Sequence, residues 1–115
     1  MIYIKFMPDE YTVFITGHAE HDEKGKDIVC AAISTLFYTL AESLNAVAPM
    51  FDGEMQFSDK EGNGYLKVTP KKEFEANVSL IYWTVLKGFE LVAKTYKEYV
   101  TLKVGGSENS ETNNL

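Results

Sequence analysis

His18 and Cys30 are the pair of side chains in this 115-residue sequence with the means to open a carbonyl compound. An imidazole can take the thiol's proton, the thiolate can attack, and the imidazolium can return the proton to a leaving amine. The stretch between them, from Glu20 to Lys26, is polar, and Gly17 and Gly25 bound it. Glycine permits the dihedrals that a tight turn or hinge requires. Asp27 reads as the N-cap of a following helix, which makes Cys30 its third residue. Free amides and the helix dipole favour the thiolate there. Each residue also has a plainer reading. A lone cysteine is commonly a small buried hydrophobe, and a histidine at a strand end can serve only to fix a loop.

Neighbouring groups widen the set. Ser34 lies one turn after Cys30 on the same helix face, placed either to orient the loop or to bond back to the Cys30 carbonyl. His21 is either an alternative base or a solvated loop residue. His18, His21, Asp22 and Cys30 match no standard zinc spacing and lack a second thiol, so neither metal nor cofactor is expected. Tyr38, Tyr82 and Trp83 suggest a substrate groove, but aromatics at helical spacing are more often core or a dimer interface.

These residues need elements to hold them. Ile2, Ile4 and Phe6 alternate with Tyr3 and Lys5, and the same period returns at Tyr11, Val13 and Ile15, so a hairpin through Pro8-Asp9 is expected. Ile28, Val29, Ala32, Ile33, Leu36, Phe37, Leu40 and Leu44 recur at helical spacing, and that helix must stop before Pro49. Two short strands follow, at 54–58 and 64–69, around a turn from Asp59 to Gly64. Thr69-Pro70 reads as the cap and first residue of a second helix. Its stripe is Phe74, Val78, Ile81, Tyr82, Val85, Phe89, Val92 and Tyr96. Val100 to Val104 closes the chain as a strand. The expected fold is α+β: a β-β-α-β-β-α-β single domain over 1–104, a mixed sheet with two helices packed on one face. Residues 105–115, rich in Gly, Ser, Asn and Glu, read as a disordered polar tail.

Composition limits the partners. The net charge of −6, without a basic cluster, argues against nucleic acid and suits a basic peptide. One cysteine allows no internal disulfide, and the N-terminus lacks a leader pattern, so a cytoplasmic setting is expected. Polar residues from Ser34 to Asn45 interrupt the apolar stretch at 28–50, which reads as a buried helix with no membrane role.

Together, Gly17-His18-Ala19, Gly25-Lys26-Asp27-Ile28-Val29-Cys30-Ala31-Ala32 and Ser34 resemble the signature of the ribosomal-processing cysteine proteases, the Prp family. The element order agrees over residues 1–104. What the resemblance implies is a homodimeric cysteine endopeptidase with its catalytic pair on His18 and Cys30, and with Asp27 and Ser34 in supporting places. It also implies a substrate: a large-subunit ribosomal protein with a short N-terminal extension, or a phage capsid or scaffold protein similarly extended. The alternative is a non-catalytic binding or assembly module that uses the same loop and helix start.

Overall fold

The computed structural model describes residues 1–17, 24–60 and 62–105, with the backbone alone at 24–27. Alternating apolar residues build β1 (Ile2–Met7) and β2 (Thr12–Thr16), which pair antiparallel with Ile4 opposite Ile15. A single 3-10 turn, Pro8–Glu10, joins them, and Tyr11 closes it in the left-handed region at φ 52°. Helix α1 (Lys24–Ala46) follows, then the hairpin β3 (Gln56–Lys60) and β4 (Asn63–Lys67), helix α2 (Glu75–Thr95) and β5 (Val100–Val104). The sheet order is β3-β4-β2-β1-β5, with β1 and β5 parallel and every other pair antiparallel. The amide of Gly105 donates to the Phe6 carbonyl at 3.0 Å, so the β5 pairing runs one residue past the strand. The rest of the expected tail, 106–115, lies outside the described residues.

Both helices cover one face, as the two apolar stripes require. Ile2, Ile4, Phe6, Val13, Ile15 and Leu66 point from the sheet into one core. Val29, Ile33, Phe37, Leu40 and Leu44 meet them from α1, and Val78, Tyr82, Leu86 and Phe89 from α2. The 28–46 run of α1 is long and apolar enough to cross a membrane by length and composition, and its stripe is spent on this core. The helices cross where α2 has Gly88: a Cβ there would stand 2.5 Å from Leu36 Cδ2. Two assignments to the stripes change. Ile28 is exposed, and Leu86, outside the expected α2 stripe, is fully buried.

Three boundaries also move. The second helix opens at Glu75 rather than at Thr69-Pro70. Asp52 N–H donates to the Thr69 carbonyl and Lys71 N–H to that of Met50, while Phe51 and Pro70 form an antiparallel bridge. Backbone groups engaged in that pairing cannot start a helix, so the chain stays extended and then makes a 3-10 turn, Lys72–Phe74. The β3–β4 turn is tighter than the six residues expected, since Lys60 pairs with Asn63 and leaves a two-residue connection. Gly62 supplies its positive φ of 84°. The third boundary, the start of α1, bears on the site.

Candidate active site

Cys30, Ser34 and Tyr38 are spaced four apart on α1, so they form one ridge along its surface. The adjoining ridge, Ile33 and Phe37, is buried in the core. Cys30 is half-buried against that core, whereas Ser34 and Tyr38 are exposed. The ridge forms one wall of a cleft of about 100 Å³. Ile2, Ile15 and Gly17 from the sheet line it beside Cys30, and Asp59, Gly62 and Gly64 come from the β3–β4 hairpin.

Two glycines shape this space. Gly17 has φ +113°, and a Cβ on it would lie 2.3 Å from the Met1 carbonyl oxygen. The end of β2 can therefore press against the N-terminal backbone only without a side chain. Gly64 faces Phe37, with its Cβ position 3.1 Å from the ring. Phe37 in turn stacks on Phe57 of β3, with centroids 5.4 Å apart at 21°. The helix thus lies close against β4, and Asp59 and Gly62 of the hairpin form the outer lip of the cleft.

Strand alternation places Asp59 on the same side as Phe57, toward α1. There the Tyr38 hydroxyl donates to Asp59 Oδ2. This hydrogen bond, with lesser help from desolvation and the carboxylate's charge, holds the Tyr38 phenol above its ordinary range, so it stays a donor. Asp59 gave no signal in the sequence, where it reads as part of a turn. Only its register opposite Gly64 brings it to the cleft.

The structure brings Gly17, Cys30, Ser34 and Tyr38 together and separates the other aromatics. Tyr82 is fully buried, with its hydroxyl donating to the Tyr11 carbonyl at 2.7 Å, and Trp83 is half-buried against the core. Neither reaches the cleft. His18 follows Gly17 directly in the chain, but it lies outside the described residues, as do His21 and Asp22.

The helix start corrects two expectations. α1 begins at Lys24, so Asp27 is its fourth residue and not its N-cap, and Gly25 belongs to the first turn rather than to a loop. An acidic residue is favoured by the dipole anywhere in a first turn, so residue type alone could not separate cap from turn. Cys30 stands six residues past Lys24, about 9 Å of axial rise. Unpaired amides are confined to the first turn, so the backbone amide of Cys30 is already inside the helical ladder.

A thiol presented from a helix wall into a cleft is a group that can act as a nucleophile. The family model for the cysteine protease Prp matches residues 1–101. The curated ribosomal processing cysteine protease Prp of Staphylococcus aureus is 29% identical over 92 residues, 78% of this chain and 82% of that protein. A Streptococcus mutans protein of known crystal structure is 31% identical, with a TM-score of 0.69 over 98% of this chain and 99% of its own. The Staphylococcus aureus Prp crystallised with a substrate peptide shares the fold, with a TM-score of 0.72 at 21% identity over 90% of this chain and 99% of that one. The chain belongs to the Prp cysteine protease family. It is a cysteine protease by that membership.

Proposed function

We propose that Cys30 is the nucleophile and that His18 is its general base and then its acid. On this reading the enzyme is an endopeptidase that removes a short N-terminal extension from a large-subunit ribosomal protein. The observation that carries it is Cys30 itself: the sole thiol of the chain, half-buried on the wall of a cleft that Gly17, the residue before His18, also lines. Thiolate attack on the scissile carbonyl forms a tetrahedral intermediate. Proton return from the imidazolium expels the new N-terminus, and water then hydrolyses the acyl-enzyme. The free amides of the first turn of α1 precede Cys30 by a turn, so they can serve the developing oxyanion only if the carbonyl lies on that side of the thiol.

The ribosomal target is supported by what the Staphylococcus aureus relative is named for, ribosomal processing. The excess of acidic over basic residues suits a basic protein segment. A phage capsid precursor with a similar extension is the competing substrate. The enzyme acts in the cytoplasm, where a lone thiol stays reduced, and it works as a homodimer. Incubation with an extended ribosomal protein and, separately, with a phage capsid precursor, followed by mass spectrometry of new N-termini, tests the assignment. Wild type is expected to truncate the ribosomal protein. Cys30→Ala should lose at least about a thousandfold in rate, the scale on which loss of a nucleophile acts, with an unchanged thermal midpoint. A Cys30→Ala protein that still cleaves would end the reading. Light scattering at micromolar concentration checks the dimer.

A further inference from the structure

The lip of the cleft carries a charge that the nucleophile does not use. Asp59 and Tyr38 line the same space as Cys30, from the hairpin and the helix respectively. Asp59 is exposed, and among the described residues no cation stands on it: its partner is the Tyr38 hydroxyl, on Oδ2. That bond orients the carboxylate and leaves Oδ1 as an acceptor. The helix keeps the distance between this acceptor and the thiol nearly constant. Tyr38 is eight residues beyond Cys30, about 12 Å along the axis. An extended peptide covers that length in three or four residues, at about 3.3 Å each.

We propose that Asp59, held by Tyr38, is a specificity determinant that selects peptides with a lysine or arginine at the third or fourth residue from the scissile bond, on the side that runs along α1 toward Tyr38. The proposal rests on Cys30 as the nucleophile. A peptide laid from Cys30 to Tyr38 passes over Ser34 and the apolar floor of Ile33 and Phe37 before it reaches the carboxylate. The side chain that arrives there meets an acceptor on which no cation stands among the described residues. Each carboxylate oxygen has two lone pairs, so Oδ2 can keep the tyrosine bond while an arginine takes both oxygens or a lysine takes Oδ1. Since both partners are exposed, the selection is modest, about fivefold in kcat/KM.

The test is cleavage of a proteome-derived peptide library made with a glutamate-specific protease, so that internal lysine and arginine remain. The positions flanking each new terminus are read by mass spectrometry. Wild type should enrich lysine and arginine at one or both of the named positions on one side of the bond. Asp59→Asn should lose that enrichment at the named positions, and Asp59→Lys should enrich acidic residues there instead. Enrichment in wild type should also fade toward 1 M salt, where screening acts within about 3 Å. A purely structural tie between hairpin and helix would lower stability in these variants and leave the positional preference in place. No basic enrichment in wild type, or its persistence in Asp59→Asn, overturns the proposal while Cys30→Ala stays inactive. Cleavage by Cys30→Ala would instead overturn the nucleophile, and this inference with it.

Discussion

Beneath α2 the sheet and the helix layer close completely, whereas beneath the cleft end of α1 they leave a gap. Under α2, Phe6 carries the edge of Tyr82 at 6.1 Å and tilts against Phe89 at 5.4 Å, and all three are fully buried. At the cleft end of α1, Gly64 yields its place to the Phe37 ring and Gly17 lies against the Met1 carbonyl, and the open space is the small cleft between Cys30 and the β3–β4 hairpin. One face of one sheet thus closes over aromatic rings under α2 and opens at its margin beside Cys30, where Ile2 and Ile15 line the cleft. The closed region is core, and the open one lies at its edge. Interiors are otherwise packed without such gaps, so the cleft is a property of particular residues and not of loose packing.

That contrast can be tested from its stable end first. Phe89→Ala should cost about 3–5 kcal/mol in urea unfolding, because it opens a cavity against Phe6 that neighbouring rings cannot fill. Cleavage measured where the variant is still folded should stay near the wild-type rate. A loss below about 1 kcal/mol would mean that the region under α2 does not anchor the domain.

Gly17→Ala should cost about 2 kcal/mol, since a side chain is strained at φ +113° and would drive against the Met1 carbonyl. Here the contrast predicts the opposite balance. Cleavage should fall well beyond what stability explains, as the chain leading to His18 leaves β2 in a new direction. A variant with both properties intact would remove Gly17 from the site.

Tyr82→Phe is the smallest change, about 1 kcal/mol, for the lost hydrogen bond to the Tyr11 carbonyl. It sharpens the comparison through pH. Burial, with a lesser push from Tyr65, raises the Tyr82 phenol far above its ordinary value of 10.0. The folded state therefore keeps the proton that the unfolded chain releases. The stability linked to it is complete below about pH 10 and is lost progressively above it. Wild type should weaken in urea as pH rises past that point, and Tyr82→Phe should weaken less steeply. Equal slopes would show that Tyr82 is not closed off from water.

Much of this molecule was legible from residue periodicity. The two opening strands, the α1 and α2 stripes, the closing strand and their order follow from spacing, because a residue's own face of an element is a local property. The string around His18 and Cys30 pointed to the family for a similar reason, as residue identities at short separations. The misplaced boundaries share a different origin. Thr69-Pro70 has the local chemistry of a helix start, yet its backbone groups are engaged by residues 50–52, far back in the chain. Asp27 has that of a cap, yet α1 continues through it to Lys24.

The sequence by itself determined the elements, the stripes that bury them, and the thiol and imidazole as the chemically able pair. Tertiary structure alone decided that Tyr38 reaches the cleft while Tyr82 is sealed in the core. It also decided that Asp59, opposite Gly64, turns its carboxylate toward the helix that carries Cys30. Pairing register and helix packing join residues distant in the chain, and nothing in the identity of an aspartate records which glycine will lie across from it.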